Sequence, residues 1–363
     1  MTRWSYVLAL AAGGMAMTMD TPVLAFELSP LPTNAEVLKA KKTYGIVFRT
    51  TYPAVEWGLH SFSNPVHEAL THQAHDCDYS LDVCSNINLD FASSGVIAGV
   101  RWNDDPPFRF EKGQGKYKGC PADGDDTATV SFALRTECWL EHFRDVAKKA
   151  ERKHDEYLDG KGSLLARSHF GDLQFLHSMA SRVGTSAAAT RSAILVWAEF
   201  TWRVQSRQSD NIAAKVPMGA APVAGLQQYF PPKEIRNVSE LFTVGRPWLR
   251  YQLEDVAFGS LLHMVEDSFS GGHAARAKTA SGDCPAPPIV KFFTYAGQDK
   301  NAHKRADTRQ AASAGTSALV QVMKELVRLR MEKASWQEVR PYLENCVYAL
   351  SDPNAESTSE AAR

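Results

Sequence analysis

The sequence predicts an all-α, mainly helical protein built as a single domain with long disulfide-bearing loops. Apolar residues recur with helical spacing in several long segments, whereas strand-like patterns are confined to residues 44–48 and 129–134. The 40 Lys and Arg residues nearly balance 41 Asp and Glu residues, and 44% of the chain is hydrophobic. This composition excludes a disordered chain, and it lacks the broad basic surface expected of a duplex-DNA binder.

The N-terminus has the pattern of an export signal. Arg3 precedes a short apolar run over residues 6–17, and residues 23–25 (Val-Leu-Ala) fit the small-x-small cleavage rule. The run is too short to span a bilayer, and no later segment approaches the ~20 apolar residues that a membrane helix requires. We therefore expect a signal peptide over residues 1–25, a mature chain beginning near Phe26, and a secreted or periplasmic protein.

Six cysteines agree with an exported protein, because disulfides persist in oxidising compartments. None of them lies in a CxxC arrangement, which argues against zinc-thiolate sites. Six cysteines allow several connectivities, of which pairing between neighbours is the simplest. That pairing predicts disulfides Cys77–Cys84, Cys120–Cys138 and Cys284–Cys346.

Six segments have the apolar pattern of helices. Residues 65–74 begin with Asn64 as a potential cap and Pro65 at the first helical position. Residues 136–154 carry one apolar stripe opposite Lys and Arg, and residues 187–204 are apolar nearly all round, which predicts a central helix. The remaining helices are predicted at 163–183, 247–269 and 308–331, with loops at 103–119 and 271–288.

The most informative motif is HMVEDSFSGGH, which contains His263, Asp267 and His273. His263 and Asp267 are four residues apart on a predicted helix, so they lie one turn apart on the same face. That face is otherwise apolar, and a buried imidazole and carboxylate require a partner such as a metal ion. Gly271 and Gly272 end the helix and allow His273 to return to the same centre.

Further histidines and carboxylates occur in short islands along the chain. His303 and Asp307 repeat the HxxxD spacing in a helical context. The segment NPVHEALTHQA contains His67, GVRWNDDPP contains Asp104, and SHFGD contains His169. Together with the HxxxDxxxxxH block, these islands point to a metal centre of imidazole nitrogens and carboxylate oxygens.

These islands resemble the zinc-dependent phospholipase C and single-strand-specific nuclease superfamily, and most of all bacterial zinc metallophospholipases C. The HxxxDxxxxxH block matches that family in residue types and spacing, and the islands span roughly residues 57–310. The resemblance implies a hydrolase domain over residues 57–350, followed by a disordered tail over 351–363. It also implies three zinc ions, with the ligands Trp57, His67, Asp104, His169, His263, Asp267, His273, His303 and Asp307.

Two features depart from the family pattern. In the family the mature chain begins with a Trp that binds zinc, whereas the predicted mature chain here begins well before Trp57. Either residues 26–56 are a pro-segment that is removed, or that metal position is built differently. There are also two candidates for the catalytic carboxylate that bridges the metals. Asp104 has the family's Trp-x-Asp context and is favoured, whereas Asp155 has the family's spacing to His169.

The resemblance implies a phospholipase C that releases diacylglycerol and a phosphorylated head group from phosphatidylcholine-like lipids. Phe108, Phe110 and Phe269 are candidates for peripheral contact with a membrane surface. A single-strand-specific nuclease with the same zinc site is one alternative, although the near-zero net charge disfavours it. A non-catalytic exported zinc-binding protein is another, and the missing N-terminal Trp supports it.

The remaining polar residues of these islands have simpler interpretations. His142 and His154 lie among charges on a predicted exposed helix. Asp172 and His177 follow His169 closely and are predicted to orient a metal ligand rather than to bind the metal.

Overall fold

The computed structural model describes residues 66–75 and 91–359, apart from gaps at 111–116, 118, 121–128, 133, 154–156, 207, 232–235, 281, 296 and 299–308. Several sequence predictions lie outside the described residues: the signal peptide, the extension over 26–56, the strand at 44–48 and the pair Cys77–Cys84.

The described chain is mainly helical, as the sequence predicts. Its helices are α1 (Val66–Ala74), α2 (Ser94–Val100), α3 (Thr136–Arg152), α4 (Leu164–Phe170), α5 (Ala187–Gln205), α6 (Val238–Thr243), α7 (Leu253–Asp267), α8 (Arg309–Met331) and α9 (Trp336–Tyr342). Helix α5 carries the expected central role, because Trp197, Phe200 and Trp202 are all fully buried. No helix in the described part of the chain is long and apolar enough to cross a bilayer.

Helices α2 and α7 cross with their backbones almost touching. A Cβ atom on Gly99 would lie 2.1 Å from the carbonyl oxygen of Val256, and one on Gly259 would lie 2.1 Å from that of Val96. Because side chains cannot approach a backbone so closely, only glycine permits this crossing. The contact places the loop after α2 beside the second half of α7.

A hydrogen-bond network fixes the loop after α2. The Trp197 indole donates to Ser260 Oγ at 3.1 Å, and the Ser260 hydroxyl donates to Asn103 Oδ1 at 2.6 Å. The Asn103 amide in turn donates to the carbonyl oxygen of Leu176 at 2.7 Å. Since every buried group in this network has a partner, the loop that carries Asp104 is held in one conformation.

The helix predicted over residues 163–183 is interrupted. Helix α4 ends at Gly171, where a Cβ atom would lie 2.4 Å from the carbonyl oxygen of Tyr157. A short 3₁₀ turn follows over Gln174–His177, and Ser178 then adopts a left-handed conformation with φ 50°. The apolar periodicity of this segment therefore reflects burial on several sides rather than one continuous helix.

The described residues include one two-stranded antiparallel sheet, so "all-α" is corrected to mainly helical. Strand β1 (Ala274–Arg276) lies in the segment predicted as a loop, and it pairs with β2 (Ile289–Phe292). The strand predicted at residues 129–134 is wrong, because Val130 alone among the described residues of this range forms a bridge, with Phe108. Strands this short carry too few residues for a periodic signal.

Residues 351–359 lie in the segment predicted as a disordered tail, and they form backbone hydrogen bonds with distant parts of the chain. The Ala187 amide at the start of α5 donates to the Ala355 carbonyl oxygen at 2.8 Å, and the Ser357 amide donates to that of Thr185 at 2.9 Å. Beyond them, the Thr294 amide donates to the Thr358 carbonyl oxygen at 2.9 Å. Backbone hydrogen bonds thus join this segment to the start of α5 and to the residues after β2.

Two predicted disulfides are confirmed. Cys120 is joined to Cys138 on α3, and Cys284 is joined to Cys346 near the C-terminus. Two disulfides in one chain are typical of proteins that fold in an oxidising compartment.

Candidate metal centre

Five imidazoles and two carboxylates converge at one buried place in the described chain. They come from α1, the loop after α2, α4, the 3₁₀ turn, α7 and the turn before β1. Each of the seven residues is at most 3% exposed: His67, Asp104, His169, His177, His263, Asp267 and His273. Ionisable groups are buried in such density only when they are paired with one another or with a cation.

Asp267 is the central carboxylate of this cluster. Its Oδ2 atom lies 2.9 Å from His263 Nε2, 2.8 Å from His177 Nδ1 and 3.6 Å from His273 Nδ1. Its Oδ1 atom faces the other way and lies 3.6 Å from His67 Nε2. Asp267 therefore reaches imidazoles from four separate segments of the chain.

Asp104 is the second carboxylate, and it lies across the cluster from α1. Its Oδ1 atom is 3.6 Å from His177 Nδ1 and 4.0 Å from His169 Nε2. Its Oδ2 atom is 3.8 Å from His263 Nε2. These separations exceed a direct hydrogen bond but are short enough for both partners to bind one intervening ion.

Three imidazoles are fixed from outside the cluster through Nδ1. His67 Nδ1 lies 2.6 Å from Glu266 Oε2, His169 Nδ1 lies 3.1 Å from the Leu165 carbonyl oxygen, and His273 Nδ1 lies 2.7 Å from that of His177. Glu266 is itself held by the Thr71 hydroxyl, which donates to Oε1 at 2.8 Å. Metal-binding histidines characteristically donate one ring N–H to a carboxylate or carbonyl in this way, so that the other nitrogen faces the metal.

The seven side chains supply two groups with metal-ligand spacing. One group is His67, His263 and Asp267, and the other is Asp104, His169 and His177; within each, the ligand atoms lie within 4.8 Å of one another. Imidazole nitrogen and carboxylate oxygen without thiolate suit zinc. The donor set thus fits the metal that the sequence predicted.

Burial sets the protonation of these residues in favour of metal binding. Loss of hydration lowers the pKa of His67 and His169 well below the ordinary value, and it lowers the pKa of His177 to about 4. Burial alone would raise the pKa of Asp267, but His273 and His263 hold it well below its usual range. Neutral imidazoles beside an ionised carboxylate are the ligand forms that a divalent cation requires.

The structure brings together six of the ligands predicted from the sequence: His67, Asp104, His169, His263, Asp267 and His273. The other predicted site residues, Trp57, Asp155, His303 and Asp307, lie outside the described residues. Both described carboxylates reach the two groups: Asp267 lies near His67 and His177, and Asp104 Oδ1 lies near His177 while its Oδ2 lies near His263. The bridging role of Asp104 therefore stays a prediction, and Asp267 is a second candidate for it.

Two residues hold places in the site that the sequence did not predict, since the sequence indicates only an orienting role for His177 and no role for Glu266. His177 lies inside the cluster, because the 3₁₀ turn that carries it was hidden in an apparently continuous helix. Glu266 pairs with His67, and the signal that could have identified it is a carboxylate among the apolar residues of α7. Asp172 lies elsewhere and forms a two-point ion pair with Arg167, at 2.8 and 2.6 Å.

The residues predicted to contact a membrane or solvent are packed instead. Phe108 and Phe110 are buried, and their rings contact His142, which is therefore not on the exposed face predicted for it. Phe269 is partly buried beneath the Arg276 guanidinium, which lies 3.9 Å from the ring centroid. These aromatic rings belong to the core, so they give no support to lipid contact.

Comparisons with family models, with curated proteins and with solved structures found no match for the chain. The class that the fold and site define is accordingly a mainly helical protein with a buried His/Asp centre of metal-ligand chemistry.

Proposed function

We propose that this protein is an exported zinc-dependent phosphodiester hydrolase of the phospholipase C type. The observation that carries the proposal is the convergence of five imidazoles and two carboxylates, three of the imidazoles being fixed from outside through Nδ1. A site built only for stability would not need so many ionisable groups, because apolar packing gives the same stability without the cost of desolvating them.

The two ligand groups divide the work of holding zinc. His67, His263 and Asp267 would hold one ion, and Asp104 with His169 a second. By the resemblance, His273, His303 and Asp307 would complete the other coordination spheres. Zinc bound in such a centre supplies an activated water molecule and positive charge that stabilises a phosphate under attack.

The protein's own residues would orient this chemistry. Asp267 contacts His67 on one side and His177 on the other, so its negative charge would balance part of the charge of ions held there. Asp104 is held by the loop whose Asn103 side chain is fully hydrogen-bonded, so its carboxylate keeps one orientation. Rigid placement of this kind is what separates a catalytic metal site from a loosely bound ion.

Metal analysis combined with two activity assays tests the proposal. The exported protein, purified without chelator, should contain at least two zinc ions per chain and release diacylglycerol from phosphatidylcholine vesicles. Asp267→Asn should keep the helical circular dichroism but lower hydrolysis by more than about 100-fold, the upper end seen for outer-shell partners of a metal. An amide has nearly the shape of a carboxylate but lacks its charge.

Asp172→Asn is the matched control, because Asp172 is a mostly buried carboxylate that pairs with Arg167 outside the centre. It should retain both zinc and activity. Zinc-loaded protein that cleaves denatured DNA but no phospholipid would show that the protein is a nuclease rather than a phospholipase C. Zinc-loaded protein with neither activity would identify a non-catalytic zinc-binding protein.

A further inference from the structure

We infer that His177 is itself a metal ligand, sharing one ion with Asp104 and His169, and not only an orienting partner. The resemblance does not assign this residue, which lies eight positions beyond His169. The inference rests on the proposed metal centre, and it adds an imidazole to the ligand set that the resemblance implies.

The backbone around His177 is shaped to aim it inward. Ser178, directly after it, is a non-glycine residue in the left-handed region, with φ 50° and ψ 36°. The Ser178 hydroxyl donates to the Met264 carbonyl oxygen at 2.6 Å, and Tyr348 donates to the same oxygen at 3.0 Å. Strained backbone that the surroundings hold in place in this way is concentrated at functional sites.

The His177 imidazole contacts every ligand segment around it. Its Nδ1 atom lies 2.8 Å from Asp267, 3.6 Å from Asp104 and 3.2 Å from His263 Nε2. Its ring packs 4.8 Å from that of His169. A side chain that only oriented one ligand would contact that ligand from the outside, as Glu266 does with His67.

The nitrogen atoms of His177 and His263 impose a further constraint. His177 Nδ1 and His263 Nε2 both face Asp267 Oδ2 and also face each other at 3.2 Å. A neutral imidazole carries one N–H only. With Nδ1 donating to Asp267, Nε2 carries no proton, and it has no hydrogen-bond partner in the described part of the chain, so it is the nitrogen that can bind a cation.

The substitution His177→Asn separates the two roles. The Asn amide can occupy the position of Nδ1 and still donate to Asp267, but it is a poor zinc ligand. We expect His177→Asn to bind one zinc ion per chain fewer than wild type by plasma mass spectrometry. In protein loaded with cobalt, it should also change the visible absorption of the remaining metal. His177→Asp, which restores a zinc ligand, should recover the lost ion.

His142→Gln is the matched control, because His142 is a buried histidine outside the centre whose Nε2 contacts Ser163 Oγ at 2.8 Å. It should retain the wild-type zinc content. If His177→Asn also keeps that content and the wild-type cobalt spectrum, His177 only orients Asp267 and the inference is overturned, while the metal centre stands. If wild type binds no zinc, the proposed function fails as well.

A measurement on wild-type protein decides the question if both His177 variants fail to fold. Zinc added to metal-depleted protein with ¹⁵N-labelled histidine should move a ring-nitrogen resonance of His177 to the shift of a metal-bound imidazole. An unchanged His177 resonance, with shifts at His169 and His263, would contradict the inference.

Discussion

The pairing of Glu266 with His67 sets a quantitative expectation for zinc affinity. Both side chains are completely buried, and Glu266 Oε2 lies 2.6 Å from His67 Nδ1. Loss of the outer hydrogen-bond partner of a metal-binding imidazole typically weakens metal binding about 10- to 100-fold. Glu266→Gln should therefore weaken zinc binding by the same factor, which corresponds to about 1.4–2.8 kcal/mol.

The assay is competition for zinc between the protein and a chelating dye of known affinity, at fixed pH. Glu68→Gln is the control, since Glu68 is a buried carboxylate on α1 whose Oε1 accepts from Arg101 at 2.7 Å. Its loss should lower stability but leave zinc affinity within about threefold, because its Arg101 contact lies outside the two ligand groups. Equal zinc affinity for Glu266→Gln and wild type would refute the role of Glu266 in positioning His67.

Three further expectations concern stability. Burial lowers the pKa of His142 from 6.5 to about 4. The stabilisation from a buried neutral His142 is therefore complete above pH 6.5 and is lost as the pH falls towards 4. Urea unfolding at pH 7 and at pH 4 should show that His142→Gln removes about 3 kcal/mol of this pH dependence. Removing the disulfide Cys120–Cys138, with a sequence separation of 18, should lower the free energy of unfolding by about 3 kcal/mol. Removing Cys284–Cys346, with a separation of 62, should lower it by about 4 kcal/mol, because the longer loop gains more entropy when it is opened. The reverse order of urea midpoints would contradict this chain-entropy argument. Chelation of the metal should lower the melting temperature and abolish hydrolysis, while the far-ultraviolet circular dichroism at 25 °C stays helical. Loss of that helical signal would show instead that the fold depends on metal.

The sequence predicted the parts of the site that repeat at helical spacing. His263 and Asp267 lie four residues apart, and the structure places them on the inner face of α7 with their side chains 2.9 Å apart. The turn that returns His273 follows from the two glycines after the helix. These predictions succeed because they depend on local geometry alone.

The parts that the sequence could not give depend on tertiary packing. His177 is aimed into the centre by a left-handed Ser178 whose hydroxyl is held by α7, and no local propensity favours that conformation. His142 looked exposed among charged neighbours, but the rings of Phe108 and Phe110 cover it. Only the approach of segments distant in sequence, such as α2 and α7 through Gly99, determines such environments.

Anomalous diffraction at the zinc absorption edge, from crystals of the protein grown without chelator, tests the metal centre most directly. We expect one peak within bonding distance of His67, His263 and Asp267 and a second beside Asp104 and His169, with both peaks absent below the edge. Diffraction that shows these side chains ordered, with no anomalous peak among them after zinc is added, would contradict the metal centre.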